Sequence, residues 1–81
     1  MIKIRFDLHN DTSKKVHVVL ELAGWMFALE PDQLATVTGE YKKTPITIRL
    51  SDHPEGGIYA QLYPGDGKVI VESNGQIVLE G

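Results

Sequence analysis

The chain lacks cysteine altogether, and it has a single tryptophan and only 7% aromatic residues in 81 positions. Without cysteine there are no disulfide staples, zinc-thiolate ribbons or thiol chemistry, and a type 1 copper centre, which needs a cysteine thiolate, is excluded with them. No run approaches the ~20 apolar residues of a membrane-spanning helix. An excess of one charge is missing too: a formal net charge of −3 gives no general pull toward nucleic acid or anionic lipid. The 8 basic residues are scattered rather than striped, so neither a nucleic acid nor a membrane is expected as a partner. No segment repeats its apolar residues at helical spacing, and there is no internal repeat or low-complexity tract.

What remains is ordinary globular material, 42% hydrophobic and 23% charged, which argues against disorder. A chain of this length is one domain, residues 1–81, and buries only roughly 60–65% of the surface its unfolded form exposes. Met1 leads directly into alternating residues rather than into an apolar leader. A soluble, cytoplasmic protein is the expectation.

The alternation defines strands. Ile2, Ile4, Phe6 and Leu8 interleave with Lys3, Arg5, Asp7 and His9, the pattern of a half-buried strand. Further strands are read at 16–22, 25–29, 34–38, 46–50, 58–63, 68–73 and 76–79. Between them lie turn-forming stretches: Asn10 to Lys15, Pro31-Asp32, the crossover Gly39 to Thr44, Ser51 to Gly57, Pro64 to Gly67 and Asn74-Gly75. Seven or eight short strands at roughly nine-residue spacing indicate an all-β fold: a small antiparallel β-sandwich, immunoglobulin-like, with a small barrel as the alternative.

The segment Val16 to Leu34 organises the rest. A two-residue turn at Ala23-Gly24 opposes Leu22 with Trp25, Leu20 with Phe27 and Val18 with Leu29, so each inward pair is large and apolar and Trp25 belongs to the core. The weak point is Ala23, which resists the positive φ that the favoured hairpin turns need; a type II turn with Gly24 second, or a bulge, is the alternative.

In the C-terminal half, closure at Pro64 to Gly67 pairs Leu62 with Val69 and Ala60 with Val71. Asn74-Gly75 then pairs Val71 with Val78. Tyr59, Tyr63, Ile70, Ile77 and Leu79 gather on the opposite face, which leaves both faces apolar. Either this sheet is covered on both sides or a bulge flips one strand, or one face binds a partner or a second copy of the chain.

Catalytic constellations are hard to find. His9, His17 and Asp7 would approach one another only if the first two strands pair, and their spacing is not diagnostic of a metal site. Ser51, Asp52 and His53 have the residue types of a hydrolase triad, but consecutive residues point in different directions. Glu40, Asp52, Glu55 and Asp66 sit in loops, where carboxylates are usually solvated. The PGDG turn is too short to cradle a phosphate, and no calcium loop is present.

The order N-x-T, V-x-V-x-L-E, a tryptophan and then F-x-L-x-P, carried by Asn10, Thr12, Val16, Val18, Leu20, Glu21, Trp25, Phe27, Leu29 and Pro31, resembles a group of short bacterial β-rich proteins of uncharacterised function. It covers about a quarter of the chain. Members of that group keep proline and tryptophan directly after the glutamate, whereas Leu22-Ala23-Gly24 intervene here. The resemblance implies a small β domain and no particular activity.

The reading that follows is a non-catalytic domain, with no cofactor and no metal, that works through protein–protein contacts or as a homo-oligomer. Its binding face would comprise Tyr59, Gln61, Tyr63, Ile70, Ile77 and Leu79. The alternative is a carbohydrate or small-molecule module in which Tyr59, Gln61 and Tyr63 form the platform.

Overall fold

A computed structural model describes all 81 residues. It contains eight strands and no helix: β1 (Ile2–His9), β2 (Val16–Leu20), β3 (Trp25–Leu29), β4 (Leu34–Tyr41), β5 (Thr47–Asp52), β6 (Ile58–Tyr63), β7 (Lys68–Ser73) and β8 (Gln76–Glu80). They form two four-stranded sheets, β1-β4-β7-β8 and β3-β2-β6-β5. The sheets are not closed into a barrel, so the fold is a small β-sandwich. One pair departs from the antiparallel rule, for β2 runs parallel to β6.

The core lies between the sheets. Val18, Leu20 and Leu62 from one sheet meet Ala35, Val37, Val69, Val71 and Leu79 from the other, with Leu29 beside them. Because side chains alternate along a strand, the inward residues of β2, β4, β6 and β7 each keep one parity, and the structure shows which of the two apolar faces in the C-terminal half is inside. Ser73, the buried polar residue at the end of β7, donates its hydroxyl to the carbonyl of Leu34 at 3.1 Å. No buried side-chain nitrogen or oxygen lacks a partner.

Several pairings differ from the sequence expectation. The β2–β3 loop is the four-residue turn Glu21 to Gly24, not Ala23-Gly24 alone, so Leu20 opposes Trp25, Val18 opposes Phe27 and Val16 opposes Leu29. Leu22 (φ 75) and Gly24 (φ 72) take the left-handed conformations, and Ala23 is spared the strain. The slip is two residues, which keeps every side chain on its face. Trp25, however, stands at the first position of an edge strand and is 63% exposed. It is not a core residue.

Strands β6 and β7 do not pair at all. Pro64 to Gly67 is an arch between the two sheets; β2 takes the position beside β6, and β4 the position beside β7. Asp66 fixes this arch, because its carboxylate accepts the backbone N–H groups of Lys42, Lys43 and Thr44 at 2.8, 2.9 and 3.2 Å in the β4–β5 crossover. Those hydrogen bonds hold its carboxyl below the ordinary aspartate range. Strand β4 also runs on through Gly39 to Tyr41, residues read as crossover. Gly39 leaves room there, since a Cβ would meet the end of the Ile46 side chain and lie 3.0 Å from the carbonyl oxygen of Lys68.

The last hairpin turns at Asn74 (φ 53) and Gly75 (φ 75), as their Asn-Gly sequence demands. A bulge then intervenes: Glu72 opposes Ile77, yet Val71 opposes Leu79, and Val78 is left over. The extra residue flips the strand, so Leu79 points inward at 4% exposure while Ile77 points out.

Candidate interaction surface

The binding face expected from the sequence is divided by this topology. Tyr59, Gln61 and Tyr63 do share the outer face of the β3-β2-β6-β5 sheet. Ile70 and Ile77 lie on the outer face of the other sheet, beside Thr38, Glu72 and Glu80, and Leu79 belongs to the core. The second apolar face is therefore two unrelated surfaces, each interrupted by polar residues.

The tyrosine platform is built around histidines. His17 on β2 is level with Tyr59 on β6, and His53, from the turn after β5, stacks on His17 with ring centroids 3.9 Å apart and planes inclined by 15°. His53 also packs against Tyr59 at 4.6 Å. Gln61 donates its amide to the Glu21 carboxylate at 2.8 Å. A stacking ligand would find Tyr59 already in contact with an imidazole and Gln61 already engaged.

Burial pushes the His17 imidazole below its ordinary value of 6.5, helped by the neighbouring His53 and by Lys15, against the opposing influence of Glu55 and Glu30. Beside it lies a shallow cleft of about 480 Å³ whose lining includes Lys14, Lys15, Glu30 and Glu55. Its charges are of both signs, so it selects neither an anion nor a cation.

His9 belongs to the other sheet, where its Nε2 lies 2.9 Å from a carboxylate oxygen of Asp32. His9 and His17 thus do not meet, because β1 pairs with β4 rather than β2. No group of three or more histidine, cysteine or acidic side chains is placed to hold a metal ion. In the Ser51-Asp52-His53 stretch, His53 accepts the N–H of Glu55 through Nδ1 at 3.1 Å and stacks on His17. It acts as a turn residue.

The surface that departs most from the sequence expectation is the edge at β3. The strands with one open side are β1, β8, β3 and β5. Lys3, Arg5 and Asp7 mark β1, Glu80 and a bulge mark β8, and Arg49 and Asp52 mark β5; such charges and bulges discourage pairing with another chain. Strand β3, WMFAL, has none of them. The turn leading into it presents Leu22 at 95% exposure, followed by Trp25 and by Met26 at 55%.

The backbone at this edge can be assigned by alternation. Glu21 donates its N–H to Leu62, and Lys15 accepts the N–H of Ile58, so the odd-numbered residues of β2 turn toward β6 and Val16, Val18 and Leu20 turn toward β3. Their partners Leu29, Phe27 and Trp25 bond back to β2. The N–H and C=O of Met26 and Ala28 therefore face the open edge. Two residues further on, the N–H of Glu30 is closed off by the side-chain oxygen of Gln33 at 2.7 Å.

Sequence reasoning missed Trp25 and Leu22 as surface residues, having read both as inward-facing, whereas Met26 falls on the more polar face of the hairpin by parity. The uncharged WMFAL run was the available signal, but β6, IYAQLY, is uncharged as well and is central. Only strand order separates the two.

No helix is long and apolar enough to cross a membrane. No protein-family model, curated protein or solved structure matches this chain.

Proposed function

We propose that this protein is a non-catalytic β-sandwich that acts through protein–protein contacts, docking by strand addition at the open edge of β3. The observation that carries the reading is the combination of unpaired backbone groups at Met26 and Ala28 with the exposed side chains of Leu22, Trp25 and Met26 on an edge free of charge, proline and bulge. Main-chain hydrogen bonds supply affinity in such docking, and the flanking side chains supply specificity. The carbohydrate or small-molecule reading has less support, because the Tyr59 ring contacts His53 and the Gln61 amide is bonded to Glu21.

A photo-crosslinking residue placed at Met26, with one at Arg5 on the charged β1 edge as the control, tests the proposal in cells. Adducts to protein from position 26 and none from position 5 are the expected result. Equal labelling from both positions, or none from either, would overturn it.

A further inference from the structure

We propose that the occupant of this edge is a second copy of the chain, with the two β3 strands antiparallel about a two-fold axis at Phe27, an inference that rests on the docking role of β3. The open backbone groups belong to Met26 and Ala28. An antiparallel copy centred on Phe27 places Met26 opposite Ala28 of the second copy, and Ala28 opposite its Met26, so each pair exchanges both of its hydrogen bonds. Phe27 faces its own copy across the axis in the non-bonded position. The edge thus offers what its own dyad image requires, and the run stops where Gln33 closes the N–H of Glu30.

The side chains agree with the backbone. In this register Trp25 meets Leu29 of the second copy, on the inner side of the joined sheet. Met26 and Ala28 lie together on the outer side. The flanking carboxylate of Glu30 falls opposite Gly24, which has no side chain, and is held by Lys15 at 3.5 Å. No like charges are opposed. A dyad at Arg5 on β1 would instead place that guanidinium against its own copy, which destabilises a cross-strand pair. Two β3-β2-β6-β5 sheets then become one continuous sheet, with Trp25 moved out of water.

Sedimentation and light scattering of the purified full chain across a wide concentration range read the association directly. The expected mass rises toward twice 9.0 kDa. Ala28→Pro removes an N–H that the monomer leaves open, and Trp25→Lys puts a charge against Leu29 of the second copy; each should weaken association roughly tenfold or more while circular dichroism and the urea midpoint show a folded monomer. Using two variants guards against proline disturbing the strand.

The register has its own readout, since the native chain has no thiol. Met26→Cys mixed with Ala28→Cys should form the mixed disulfide in preference to either homodisulfide. Predominance of the homodisulfides overturns this register. A strict monomer at every concentration overturns the second copy, and adducts from position 26 to another protein would then show that the docking role survives. A dimer indifferent to both variants overturns the second copy at β3, and absence of adducts from position 26 overturns the docking role separately.

Discussion

Replacing Asn10 with alanine should unlatch the β1–β2 connection, at a cost that can be worked from its contacts. The side chain is 2% exposed. Its Nδ2 donates to the carbonyls of Lys14 and Leu29, both at 2.8 Å, and its Oδ1 accepts from the N–H of Thr12 at 3.1 Å and from the Thr12 hydroxyl at 2.7 Å. The bond to Leu29 is buried, so the group left behind there costs about 1–3 kcal/mol; the partly wetted bonds to Lys14 and Thr12 are worth about 0.5–1 kcal/mol each because water can replace them. Over one buried bond and three partly wetted ones the sum is about 2.5–6 kcal/mol. A domain of this length has about 4–12 kcal/mol in all, and each kcal/mol lowers Tm by about 4–8 °C, so a fall of more than about 10 °C accompanies the change.

Urea unfolding of the wild type, Asn10→Ala, Asn10→Asp and Thr12→Ala is the assay, with an unchanged slope confirming that the unfolded states are comparable. Asn10→Asp should lose at least as much as alanine, because it aims a carboxylate at two carbonyl oxygens. Thr12→Ala, at an exposed residue, should lose only about 0.5–1 kcal/mol. An Asn10→Ala loss no larger than that of Thr12→Ala would refute the reasoning, and a stable Asn10→Asp would show that shape rather than donors matters at this site.

Two further predictions concern the pH response and the bulge. His17 is held below its ordinary 6.5 by burial, then by His53 and Lys15, against Glu55 and Glu30, with Tyr59 also packed nearby; the unfolded chain therefore binds the proton more readily, and the contribution is fully present above pH 6.5 and is lost as pH falls from there through the folded value. Urea midpoints measured through that window should decline for the wild type and less for His17→Gln, and parallel slopes would reject the assignment. Leu79→Lys should unfold the domain at room temperature, as expected for a charge forced into the core, whereas Ile77→Lys, two residues away but outside, should change stability by no more than about 0.5 kcal/mol. Similar losses at both positions, seen by thermal melts, would contradict the flipped strand end.

Much of the fold was legible because alternation is a local property. Parity alone puts Val18 with Leu20, Ala35 with Val37, Ala60 with Leu62 and Val69 with Val71 on common faces, and none of these groupings depends on knowing which strand lies beside which. The slip in the β2–β3 register left them intact, since two residues restore the same face. The Asn74-Gly75 turn was equally readable, because its residues select the left-handed conformations that a tight hairpin uses. Asn10 was harder: N-x-T resembles a motif, but its role as a buried latch depends on the carbonyl of Leu29, which lies 19 residues away.

The candidate site was less legible than the core, for a physical reason. A tyrosine at Tyr59 and an isoleucine at Ile70 have compatible parity, but whether they share a face depends on β6 and β7 being neighbours. The PGDG segment suits a hairpin and an arch alike. The choice between them is made by β2 and β4 competing for the open sides of β6 and β7, and by the Asp66 carboxylate gathering the N–H groups of Lys42 to Thr44. Leu79 needed the bulge to turn inward, and His53 needed the turn after β5 to fold back over His17.

The sequence by itself determined an all-β domain, its strand segments and which residues of a strand share a face, because these follow from a two-residue period and from turn chemistry within a few positions. Tertiary structure alone decided which strands stand at the edges, and so made Trp25 a surface residue and left Met26 and Ala28 with open hydrogen-bonding groups. An edge is the absence of a neighbour, and strands far apart in the chain settle which positions go unfilled.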